Sequence, residues 1–306
     1  VGILSPIIEF IVEKEHSFPA PSEKEKLARA IKRYQLVLTR YPQRLDIGEI
    51  KFGLADMYVG HGGEGDYDRA QRLYVDILNS GPPDYLKARA LIGKAELVLP
   101  RGKNKEIPEA IEALDRARKL LENDLTDFFT CKAIVVEADL LLVRAAKGDR
   151  DRAYKLCTDL IKNKAANWYF KARAYLDKAE IILYTRPKEI KDGTKLCLET
   201  MKLLAERTDD YFYIKSKIIM AELRIGLGGK QDIFLAHKYL GEVIKAKTNY
   251  QDLVARAKLI LASIATPQQA KKLATSVMET EALDPYLLEM AKQVADKLKE
   301  PQKKKK

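Results

Sequence analysis

A small residue, three others, then an apolar or aromatic one recurs along this chain at a near-constant interval. The pairs are Ala30/Tyr34, Ala70/Tyr74, Ala110/Leu114, Ala153/Cys157, Gly193/Cys197, Ala236/Leu240 and Ala270/Ala274. From one small residue to the next the steps are 40, 40, 43, 40, 43 and 34 residues. A unit of that length buries its apolar face only against its neighbours, so the chain need not close around a single core.

Ahead of each segment lies a second helix-like stretch with its own small or short residue: Ala55, Gly93, Ala138, Asp177 and Ala221, 15 to 17 residues before its partner. Two of these stretches are visibly related, since KARALIGKAEL from Lys87 and KARAYLDKAEI from Lys171 match at most positions. The repeating unit is therefore a helix pair. Two antiparallel helices approach closely where small side chains meet, and the bulky residue one turn on fills the groove beside the crossing. Turn residues fall between the helices at Gly60–Gly65 and Gly148, and Pro42, Pro82 and Pro83 follow helix ends.

Residues Leu54, Ala55, Tyr58, Gly65, Ala70, Tyr74 and Pro82 resemble the tetratricopeptide repeat (TPR), and Ala30, Tyr34 and Pro42 supply the second half of the preceding unit. Later units depart from that pattern at Leu114, Cys157, Cys197 and Leu240, where the aromatic residue is replaced, and at Asp177. The resemblance implies an all-α fold, a right-handed superhelical α-solenoid of antiparallel helix pairs. Residues 23–280 form the array, 1–22 an N-terminal helix or extension, 281–300 a capping helix and 301–306 a disordered basic tail.

Charge restricts the partners only weakly. The 306 residues carry 55 Lys+Arg against 44 Asp+Glu, a formal +11, of which Lys303, Lys304, Lys305 and Lys306 supply four. Nucleic acid, an anionic membrane surface and acidic protein segments are all compatible with such a balance. Cys131, Cys157 and Cys197 are far apart and set in apolar periodic stretches, which reads as core rather than disulfide framework or zinc site. A disulfide-rich secreted protein is excluded on that count, leaving a cytoplasmic or envelope-associated one. No apolar run reaches the ~18 residues of a membrane span. The opening VGILSPIIEFIV reads as an amphipathic first helix, with the trimmed end of a longer chain or of a targeting segment as the alternative.

No phosphate loop, dinucleotide fingerprint, zinc-protease helix or nucleophile elbow is present, so neither catalysis nor a cofactor or metal is expected. The informative surface is the first helix of each pair. Six residues before each small position stand Glu49, Lys87, Lys132, Lys171 and Lys215; one residue after it stand Asp56, Lys94, Asp139, Lys178 and Glu222. In proteins of the resembled family, groove lysines can clamp a peptide carboxylate, so Lys87, Lys132, Lys171, Lys215, Lys94 and Lys178 are the expected partner-binding residues. The plainer reading is that these lysines solvate a surface. The expected role is a protein-interaction scaffold whose partner brings acidic or carboxylate-bearing segments. The alternatives are a nucleic-acid-binding helical repeat using Tyr211-Phe212-Tyr213 for stacking, and an accessory module of a membrane-associated complex.

Overall fold

A computed structural model describes residues 23–248, 250–280 and 283–297. All regular structure among them is helical, and no described helix is long and apolar enough to cross a membrane. The expected extension 1–22 and basic tail 301–306 lie outside the described residues. The chain divides into two compact units between Glu122 and Asn123, inside the stretch that the repeat pattern treats as one array.

The first unit holds α1 (Glu23–Arg40), α2 (Ile47–His61), α3 (Asp66–Asn79), α4 (Asp84–Glu96) and α5 (Ile107–Leu120). Each helix packs on the next, and α2 also meets α4. The small-and-large pattern sets these contacts. Ala70 and Tyr74 are both buried on α3, and the Tyr74 ring reaches the backbone of Gly93 on α4. One pair earlier, Tyr34 does the same to Gly53, where an added Cβ would lie 2.9 Å from the ring. The glycine under Tyr34 is thus Gly53, two residues before the Ala55 that the sequence pattern singles out.

The second unit holds α6 (Phe128–Arg144), α7 (Asp149–Lys162), α8 (Trp168–Thr185), α9 (Ile190–Leu203), α10 (Tyr211–Leu227), α11 (Lys230–Lys245), α12 (Gln251–Ile264), α13 (Pro267–Met278) and α14 (Pro285–Lys297). Again each helix packs on the next, and the alternate helices α6, α8, α10, α12 and α14 also touch in succession. Burial follows from that double contact. Ten residues of α6 are buried but only four of α7, a single stripe of Asp149, Ala153, Cys157 and Leu160.

The turn inside a pair is built the same way in both units. Gly65 and Gly148 take φ of 73° and 88°, a left-handed backbone that a side chain disfavours, immediately before α3 and α7. The next residue, Asp66 or Asp149, accepts a hydrogen bond from the backbone N–H of Gly63 or Ala146, each at 2.9 Å. Its carboxylate also holds the basic residue that ends the preceding helix, His61 for Asp66 and Arg144 for Asp149. Of the glycine-rich stretch Gly60–Gly65, Gly60 therefore belongs to the last turn of α2, and Gly62 to Gly65 form a helix-to-helix turn with its own acid.

Candidate functional site

The lysines singled out from the sequence meet different fates. In the first unit Lys87 and Lys94 are half-buried on α4, and Lys94 pairs with Glu109 of α5 at 3.3 Å. In the second, Lys132 is half-buried on α6, and the Lys171 ammonium donates to the carbonyl of Asn163 at 2.9 Å, in the loop before its own helix. Lys178 turns to α7, the second helix of the preceding pair, with its ammonium 4.4 Å from the Tyr154 ring centre, and burial lowers its pKa. Lys215 is bound to Glu180 at 2.7 Å, both side chains being 16% exposed. Burial alone would lower the Lys215 pKa, but the carboxylates around it, its partner Glu180 first, outweigh burial and hold the ammonium charged.

These contacts belong to a polar row that steps across the alternate helices of the second unit. Asp139 on α6 accepts from the Arg173 guanidinium on α8 at 2.9 Å. Glu180 on α8 then takes Lys215 on α10. Arg256 on α12 reaches back to Glu222 on α10 at 2.7 Å, to the Tyr184 hydroxyl on α8 at 2.9 Å and to Glu180 at 3.8 Å. Three carboxylates thus alternate with three cations, and Asp139, Glu222 and Arg256 keep a fifth to a third of their side chains open to water while Arg173, Glu180 and Lys215 are more deeply set.

Beneath the row lies Asp177, 1% exposed, with one carboxylate oxygen lacking any hydrogen-bond partner. Burial pushes its carboxyl well above the usual range; the Asp139 charge adds to that, and Lys215 and Arg173 work against it. Asp139 itself is also raised by burial, against the pull of Arg173 and Lys215, although a third of its side chain still reaches water. Nearby, burial pushes the Cys157 thiol well up, and the Asp177 charge adds to it.

The pattern in the sequence pointed to Lys215, Asp139 and Glu222 but passed over Arg173, Glu180, Tyr184 and Arg256. A signal for two of them was present. Asp139 to Arg173 and Glu222 to Arg256 are both acid-to-base steps of 34 residues, the offset that sets one alternate helix beside the next. In the first unit Glu49 and Arg89 also join alternate helices, α2 and α4, at 2.6 Å, but over 40 residues and from the other level of the pattern.

No known protein family matches the chain, and no curated protein matches it either.

Proposed function

We propose that this protein is a non-catalytic helical-repeat scaffold that binds a partner protein along the polar row of its second unit. Its helix pairs are read as TPR-like, stacking within each unit as a segment of right-handed α-solenoid. The observation that carries the reading is the row itself: donors and acceptors in fixed order across α6, α8, α10 and α12, neutral in sum and partly open to water. Such an array suits a segment of patterned charge and suits a uniform polyanion poorly, because its carboxylates would face the phosphates.

The burial of the reactive groups argues in the same direction. A general acid or nucleophile must reach its substrate. The Asp177 carboxyl is sealed beneath the row, and the Cys157 and Cys197 thiols are fully buried.

The test is affinity capture from native lysate, with nuclease treatment in parallel, comparing the wild-type chain with an exchanged pair, Glu222→Arg with Arg256→Glu. The exchange reverses the display of that ion pair and turns the Arg256 contact with Glu180 into a like-charge one, so the variant is first checked for unchanged helical circular dichroism. A protein retained by wild type through nuclease treatment and lost from the exchanged variant supports the scaffold; recovery of nucleic acid alone overturns it in favour of a nucleic-acid-binding repeat.

A further inference from the structure

At the N-terminal ends of the same alternate helices stands a second feature, which the polar row does not use. Phe128, Trp168 and Tyr211 are the first residues of α6, α8 and α10, and Tyr250 immediately precedes α12. They are 49, 42, 37 and 38% exposed. Packing inside the unit does not require large rings to stand in water at every such end.

The rings form one continuous row. Phe128 meets Phe170 across α6 and α8 at 4.9 Å between centres, Tyr169 meets Phe212 across α8 and α10 at 5.9 Å, and Tyr211 meets Tyr250 at 5.3 Å. Contacts within each helix join these steps, so edge-to-face packing holds the exposed rings at fixed places. Rigid aromatic side chains of this kind bind with little loss of side-chain entropy.

The charge beside the rings selects the partner. Asp127 and Asp210 cap α6 and α10, accepting from the N–H of Thr130 at 2.8 Å and of Phe212 at 2.7 Å. Asp209, exposed, has no capping role. Burial first, and then the Asp210 charge, push the Tyr169 and Tyr250 phenols up, which puts that carboxylate next to the row. Two of the protein's own guanidinium groups already lie on these rings, Arg173 4.7 Å from the centre of Phe212 and Arg207 5.2 Å from that of Trp168.

We propose that this aromatic row is the docking surface for an extended, arginine- or lysine-bearing segment of a partner protein. The inference rests on the protein-binding reading above and names the chemistry of the partner. At the Tyr211–Tyr250 end of the row, where Asp210 and Asp209 both act on the Tyr250 phenol, ring faces and carboxylates together attract cations and disfavour the phosphates of a nucleic acid or an anionic lipid surface. Nearer Trp168, Arg173 and Arg207 offset the carboxylates. Packed helices lie about 9 Å apart, so the three steps from α6 to α12 span roughly 27 Å, or about eight extended residues.

Trp168 is the single tryptophan of the chain, so its fluorescence reports directly on the row. The intact protein is titrated, at physiological salt, with a peptide of alternating arginine and proline, with its glutamate counterpart and with a short oligothymidylate. The expected result is a saturable change in emission with the arginine peptide alone, weakened about tenfold by Tyr211→Ser with Tyr250→Ser and also by Asp209→Lys, with helical circular dichroism unchanged. Asp209→Lys alters an exposed residue and so tests the row without touching its packing.

No response to the arginine peptide, or an equal response to the acidic peptide or the oligonucleotide, overturns the proposal. So does a shift in Trp168 emission on deleting residues 301–306 without any peptide, because the basic segment on the row is then the chain's own. Capture of a partner protein by the Tyr211/Tyr250 variant as efficiently as by wild type, while the exchanged Glu222/Arg256 pair loses it, removes the aromatic row and leaves the scaffold standing.

Discussion

The ring of Tyr74 on α3 occupies the place where a side chain on Gly93 of α4 would begin. A Cβ at Gly93 would lie 2.7 Å from Cε1 and 2.8 Å from Cε2 of that ring, whose hydroxyl is fixed by Asp56 at 2.9 Å. In an open helix, alanine is preferred to glycine by roughly 1 kcal/mol. Here crowding reverses the sign, and Gly93→Ala is expected to lower stability by about 1–3 kcal/mol, measured as a drop in the urea midpoint. Adding Tyr74→Leu to Gly93→Ala recovers part of that loss; strictly additive losses would contradict the contact.

Asp149 sets the acid limit of its turn. Hydrogen bonds from Arg144, and then from the Ala146 N–H, hold its carboxyl below the usual range in spite of burial. A depressed folded pKa gives stability that is present above the ordinary carboxylate value of about 4 and is lost as pH falls below it. Asp149→Ala is therefore expected to cost about 1–3 kcal/mol at neutral pH and progressively less in acid, which thermal melts at a series of pH values will show.

Asp177 acts with the opposite sign. Its folded carboxyl is raised, so the folded state keeps a proton that the unfolded state releases, and stability falls as pH climbs above about 4 towards the raised value. Asp177→Asn removes that penalty. The variant is expected to be more stable than wild type by about 1–2 kcal/mol at neutral pH and equal to it near pH 3, by the same melts.

Lys215 and Lys87 share a place in the sequence pattern but not in the structure. Lys215→Met removes the close partner of Glu180 in a confined site and leaves it only Arg256 at 3.8 Å, which is expected to cost about 2–4 kcal/mol. Lys87→Met on half-buried α4 is expected to stay within about 0.5 kcal/mol of wild type. Equal effects in chemical denaturation would refute the difference drawn between them.

How far the sequence reveals this architecture depends on the distance over which each signal acts. Ala70, Tyr74 and Gly93 declare themselves because the small and the large partner are set by helical spacing within one pair and the next. The pairing of Lys215 with Glu180 does not, since it depends on how alternate helices turn towards one another. The division at Glu122 is equally silent. There the backbone takes left-handed φ of 55° and 54° at Glu122 and Asn123, without a glycine to mark the place. The aromatic row was legible only as separate words, Tyr211-Phe-Tyr213 among them; the adjacency of Phe128 with Phe170, and of Tyr211 with Tyr250, arises once the helix ends line up.

Cys131, Cys157 and Cys197 all belong to the second unit, on α6, α7 and α9, and all three are buried as free thiols. A thiol reagent added to the native protein can therefore react only when that unit opens, and burial raises each thiol's pKa, which slows reaction in the closed state further. The protein thus carries its own clock for one unit and none for the other: the order in which the three sulfurs become labelled times the parting of successive helix pairs, and a ligand that braces those pairs makes the clock run slow.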